Sequence, residues 1–62
     1  MTVAQAVRAL PLLQREVLIL AEYEELSLDE IARAVEAEVG TVKSHLARAL
    51  AAVRQRCGEE GA

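Results

Sequence analysis

Between Val39 and Gly58 the chain carries four cations, Lys43, Arg48, Arg54 and Arg56, and no acid. Small and polar residues lie among them: Gly40, Thr41, Ser44, His45 and Ala47. This mixture suits contact with a polyanion. Lysine and arginine meet phosphates or guanine edges, and small hydroxyl side chains let a helix backbone come close to base edges. The candidate DNA-contacting residues are therefore Thr41, Lys43, Ser44, His45, Ala47 and Arg48. Each has a plainer alternative. Thr41 and Ser44 can be ordinary cap hydroxyls. His45 can reach a phosphate or base, or pack as a partly exposed structural histidine. Lys43 and Arg48 can be solvated cations. Arg54 and Arg56 sit near a helix C-terminus, where the dipole favours positive charge, and Arg33 has Glu30 and Glu36 at pairing distance along a helix.

Other chemistry finds no support. Glu22, Glu24 and Glu25 surround Tyr23, but no residue pattern would bury or orient one of these carboxylates as a general acid or base. No catalytic residue is assigned, and the chain is not expected to be an enzyme. One cysteine, Cys57, and one histidine are too few for a dedicated metal site, so neither metal nor cofactor is expected. Cys57 falls at a helix end as an exposed or half-buried thiol.

A chain of 62 residues has room for one layer of helices around a small core. It is 53% hydrophobic, with 12 Ala and 18 Val, Leu and Ile residues, and Tyr23 is the sole aromatic. That composition excludes disorder and favours helix over strand. No apolar run is long enough to span a membrane, the N-terminus lacks a secretory pattern, and a lone cysteine fits a cytoplasmic setting. The net charge of −3 conceals a strong polarity. Met1 to Glu38 holds three arginines against eight acids, a charge of −5, whereas Val39 to Gly58 carries +4. The distribution permits a nucleic-acid partner although the total does not suggest one.

Four helices must position these residues. The first covers about Val3 to Leu10, capped by Thr2, with Val3, Val7 and Leu10 as its apolar stripe. Pro11 breaks it and opens the second. That helix runs to about Glu24, with Leu13, Val17, Leu20 and Ala21 buried and Leu18 and Ile19 widening the face. The third starts at a capping box, Ser27-Leu28-Asp29-Glu30, flanked by a Leu26–Ile31 hydrophobic staple. Its buried stripe is Leu28, Ile31, Ala32 and Val35. After a break from Glu36 to Gly40, the fourth starts near Gly40 or Thr41 and ends at Arg56 or Cys57, stopped by Gly58. Val42, Leu46, Ala49, Leu50 and Val53 fall within an arc of roughly 100°, with Lys43, Ser44, Ala47, Arg48 and Arg54 facing away. Glu59 to Ala62 is expected to fray. The expected fold is all-α: a small bundle of about four helices containing a helix-turn-helix.

Four fragments in order, Leu10-Pro11, Gln14-Arg15-Glu16-Val17-Leu18, Leu26 to Ala32 and Val39 to Ser44, resemble the fourth domain of bacterial sigma factors, most of all the small extracytoplasmic-function group. The likeness covers about residues 3 to 56. It implies recognition of the promoter minus-35 element, docking on the RNA polymerase β-subunit flap, and a potential anti-sigma partner. It also implies that residues 1–62 form one such domain, a fragment of a longer chain whose strand-melting function lies elsewhere. Thr41 to Leu46 also resembles the recognition helix of LuxR-type regulators, but the Leu18–Ser27 spacing and Leu10-Pro11 follow the sigma pattern. A further alternative is a sigma-like protein-interaction module with weakened DNA binding. The chain departs from the sigma pattern where Glu25 and Glu36 stand in place of common glycines, where His45 replaces a common arginine, and where Ala47, Ala49, Ala51 and Ala52 thin the usual basic residues.

Overall fold

The structure, a computed structural model, describes residues 1–58; the expectation for Glu59 to Ala62 lies outside them. Four helices follow one another: α1, Val3–Arg8; α2, Leu12–Glu22; α3, Leu28–Val35; and α4, Val39–Cys57. α4 packs against all three others, most extensively against α2. Its 19 residues span about 28 Å and account for most of the molecule's 35 Å long dimension.

Local chemistry sets the helix starts. The Thr2 hydroxyl accepts from Gln5 N–H at 3.1 Å, and Thr2 N–H donates to Gln5 Oε1 at 2.9 Å. The same reciprocal pair forms at α3, where Ser27 N–H donates to Glu30 Oε1 at 2.8 Å and Glu30 N–H to Ser27 Oγ at 3.1 Å. Each box satisfies two of the amides that a helix N-terminus leaves open. The box at Ser27 matches the sequence expectation. At Thr2 the cap was expected, and Gln5 as its second half was not. Pro11 occupies the N-cap of α2. The α1–α2 corner is closed by Arg15 Nη1, which donates to the Arg8 carbonyl at 3.4 Å.

Two expected boundaries shift. α1 ends at Arg8 and α2 at Glu22, each two residues early. α4 also starts earlier than expected: its N-cap is Glu38, and Gly40 and Thr41 are already helical. The helix-turn-helix link therefore comprises Glu36, Ala37 and Glu38 alone. The α1 stripe differs as well. Val3 is 55% exposed, and Ala6, which is fully buried, faces the core instead. A short helix against the flank of α4 leaves room for a methyl group there but not for a branched side chain at every turn.

Two glutamates hold the left-handed conformation, Glu25 at φ 59° and Glu36 at φ 58°. They are the two positions where the sigma pattern commonly has glycine. Glu36 is itself the C-cap of α3, whereas α2 is capped by the right-handed Tyr23 and Glu25 lies two residues beyond it. After Glu36, Ala37 N–H donates back to the Ala32 carbonyl at 2.9 Å, the six-residue closure of a Schellman turn. After Glu25, Leu26 N–H reaches the Leu20 carbonyl at 3.0 Å, a loop one residue wider. Each reversal returns an apolar side chain, Ala37 or Leu26, to the core.

The core has two lobes. Val17, Ile31, Ala32 and Val42 unite α2, α3 and α4, with Leu13, Leu20, Leu26, Leu28 and Val35 packed around them. Leu10, Leu18 and Ala49 unite the α1 side with α4. Leu46 touches both lobes.

A β-carbon in the left-handed region costs about 1–2 kcal/mol, partly offset by the entropy that glycine adds to the unfolded chain. Glu25→Gly and Glu36→Gly should therefore each stabilise the domain by about 1 kcal/mol in denaturant unfolding. A loss of stability in either variant would show that the glutamate side chain holds its turn. Glu30 yields a second expectation. Its hydrogen bonds to Ser27, backbone first and hydroxyl second, outweigh desolvation and with the smaller pull of Arg33 hold its carboxyl below the usual value. The ionised form is favoured in the folded state. This contribution is present above the unfolded-state glutamate pKa and is lost as pH falls through the lower folded value. Thermal unfolding across acidic pH should show a steeper loss for the native chain than for Glu30→Gln. Parallel curves would remove the capping carboxylate from the account.

Candidate nucleic-acid interface

α4 folds as a helix because Ala, Leu and Arg dominate it, and it is oriented by what it buries. Val42 and Ala49 are fully enclosed, and Leu46, Leu50 and Val53 are half-buried beside them. The opposite side is left to solvent. Thr41, Lys43, Ser44, Ala47 and Arg48 are all exposed. These five occupy the N-terminal half of α4; Lys43, Ser44, Ala47 and Arg48 share the outward arc that the periodicity predicts, and Thr41 lies beside it. The fold thus brings together five of the six sequence-derived candidates on one open surface.

The sixth behaves differently. His45 is half-buried, and its Nδ1 atom is enclosed without a hydrogen-bond partner. It sits at the edge of the outward arc, between exposed residues and the core stripe. Arg54 and Arg56 are exposed in the last turn of α4, about 9–12 Å along the helix from Arg48, and their charge complements the C-terminal end of the dipole. Arg33 is exposed on α3, and its charge acts on Glu30.

The first turn of α4 is open in two respects. Glu38 occupies the N-cap but makes no side-chain cap bond, so the leading amides have no side-chain partner. A Cβ placed on Gly40 would meet no atom within 4 Å, so internal packing does not require glycine there. The result is a slim, unobstructed helix end beside a three-residue turn. This turn is acidic. Asp29, Glu36 and Glu38 line a shallow concavity of ≈430 Å³ with Arg33 and Val39. Their proximity depends on the left-handed turn at Glu36, which the expected longer break obscured.

This geometry, a capped first helix, a tight left-handed turn and a second helix whose outer face is cationic and small, is that of a helix-turn-helix. The family description "Sigma-70, region 4" matches residues 1–53. The chain belongs to the sigma-70 region 4 family. This family is one of transcription factors' DNA-binding domains, and of the two resemblances in the sequence the match falls on the sigma side. Comparisons with curated proteins and with solved structures return no match. No helix among the described residues is long and apolar enough to cross a membrane.

A second surface lies away from the recognition arc. α1, α2 and α4 enclose an apolar groove of ≈220 Å³, lined by Val3, Val7, Leu18, Tyr23, Leu50 and Val53 with Glu22 at the rim. Tyr23 is 72% exposed there, and Glu24 and Glu25 follow it in exposed positions. The sequence marked the acidic cluster around Tyr23 but not the groove, because its walls come from three helices distant in the chain.

If the outward arc of this sigma-70 region 4 domain meets DNA, its two cations differ in effect. Arg48→Ala should cost about 1–3 kcal/mol of specific binding if the guanidinium reads a base edge. Lys43→Ala should weaken all duplexes alike, with a salt slope shallower by about one, if the ammonium meets a phosphate. Unchanged affinity in both folded variants, measured by fluorescence anisotropy, would remove this arc as the DNA face.

Proposed function

We propose that this chain recognises the promoter minus-35 element as the fourth domain of a small sigma factor. α4 lies in the major groove, α3 braces it across the backbone, and the leading amides of α4 lie toward a phosphate. The observation that carries this reading is the joint exposure of Thr41, Lys43, Ser44, Ala47 and Arg48 on an acid-free helix. Arg48 and Lys43 supply charge and reach, whereas Thr41, Ser44 and Ala47 keep the helix close to the bases. The action is binding alone, with no bond made or broken by the chain. The apolar groove beside Tyr23 supports a second contact, to the polymerase β-subunit flap or to an anti-sigma factor. It also favours the alternative reading, a sigma-like module that binds protein partners and touches DNA weakly.

Charge sets the expected strength. The basic segment has four cations, and Arg54 and Arg56 lie towards the far end of α4. About two to four phosphates are neutralised, for a log K against log salt slope of roughly −2 to −4. Between about 50 and 200 mM salt the affinity should fall about 16-fold to 250-fold. The acids of the first half oppose DNA within the screening length of about 8–10 Å. The isolated domain should therefore bind weakly and gain tight promoter recognition when polymerase raises its effective concentration. Titrations of minus-35-like and random duplexes at several salt concentrations check this. Nanomolar binding at physiological salt, or a slope steeper than about −6, would contradict the charge argument. Absent duplex binding even at low salt, with polymerase binding lost on Tyr23→Ala, would establish the interaction module instead.

A further inference from the structure

His45 stands four residues after Thr41 and three before Arg48, so the three side chains form one ridge along α4. Thr41 and Arg48 are exposed, and His45 is half-buried beside the fully enclosed Val42 and Ala49. Its Nδ1 is enclosed and unpartnered among the described residues. An unpaired buried polar atom lowers stability, and an apolar ring of similar size would avoid that loss. The fold by itself therefore has no use for an imidazole at this position.

The same burial leaves Nε2 as the nitrogen that can meet a ligand. A neutral imidazole carries one N–H donor and one bare acceptor nitrogen. Nδ1 stays unpaired in either tautomer, as a buried donor or as a buried acceptor. A proton on Nε2, the nitrogen left toward the surface of this half-buried residue, can be solvated or shared with a ligand. The core thus orients the ring and leaves Nε2 as its one outward nitrogen, a donor when it carries the proton.

We infer that His45 donates its Nε2–H to a phosphate oxygen of the bound duplex, on the groove wall flanked by Thr41 and Arg48. The inference rests on the DNA-binding reading of α4. A helix lying in the major groove turns its outermost face to the base edges and its flanks to the sugar-phosphate walls. His45 is on one flank, next to the body of the domain, and Lys43 is on the other. A phosphate oxygen accepts and never donates, so it favours the tautomer with its proton on the outward Nε2. The neutral ring displaces no counterion, so this contact adds affinity without adding to the salt slope.

The 62-residue chain tests this with His45→Phe and His45→Gln, read by denaturant unfolding and by anisotropy on minus-35-like and scrambled duplexes across 50–200 mM salt. His45→Phe should unfold at an equal or higher denaturant concentration yet bind both duplexes about tenfold more weakly, as one lost bond to a charged acceptor requires. His45→Gln, whose amide N–H can stand near the place of Nε2–H, should recover binding to within about threefold of the native chain. The salt slope should stay the same in both. Unchanged affinity in His45→Phe, or its failure to fold, would make the ring a structural element and overturn the inference. A slope shallower by about one would mean a protonated ring at the contact, and a loss confined to the minus-35-like duplex would mean base reading; either overturns it. Binding lost in Lys43→Ala and Arg48→Ala but kept in His45→Phe overturns this inference alone. A folded native chain that binds no duplex overturns the DNA-binding reading and this one together.

Discussion

Val17, Ile31 and Val42 are the largest fully buried side chains in the domain, and they come from α2, α3 and α4 respectively. Their mutual contact is the point on which the rest depends. In a core without phenylalanine or tryptophan, three aliphatic side chains must fill the space where three helices cross, and dense packing tolerates little variation there. Seating Val42 in that junction fixes the rotation of α4 about its axis. Once that rotation is set, Lys43, Ser44 and Ala47 must face outward, since they share the helix with a side chain that cannot move. The recognition surface is in this sense the complement of one buried valine.

The charge distribution acts on a longer scale. The charges of α4 are purely cationic, and the net −5 of the preceding segment lies mostly in the turns, at Glu24, Glu25, Glu36 and Glu38. The three-residue turn brings Glu36 and Glu38 next to the start of the basic helix. DNA attraction and repulsion are thus only a few residues apart. Such an arrangement weakens the pull of the isolated domain on a polyanion, a loss that tethering in a larger assembly would offset. The apolar groove by Tyr23 is lined from α1, α2 and α4 and includes none of the exposed residues of the outward arc.

Three places break local rules. Glu25 and Glu36 adopt a backbone region that favours glycine, and His45 buries a nitrogen without a partner. Departures of this kind collect where function or topology overrides local preference. For the two glutamates the overriding demand is topological: each turn must return Leu26 or Ala37 to the core within very few residues. For His45 no such demand exists inside the fold, which directs attention to what lies outside it.

Helix number, the capping box at Ser27, the stop at Gly58 and the outward placement of Lys43, Ser44, Ala47 and Arg48 were all legible in the residues, because caps and 3.6-residue periodicity are written within single segments. The left-handed turn at Glu36 was legible only through the resemblance, in which glycine is common at that position, and the one at Glu25 was not expected. The start of α4 at Val39 was not legible: Gly40 and Thr41 are credible cap residues, and packing of Val39 and Val42 against α3 drew them into the helix instead. Ala6 as a core residue, the groove beside Tyr23 and the enclosed nitrogen of His45 were equally hidden. Each arises from helices far apart in the chain, and periodicity within one helix carries no information about which neighbour will cover it. Local chemistry determined the elements and the sign of the surface; the way three helices share one small aliphatic junction decided which side chains that surface finally presents.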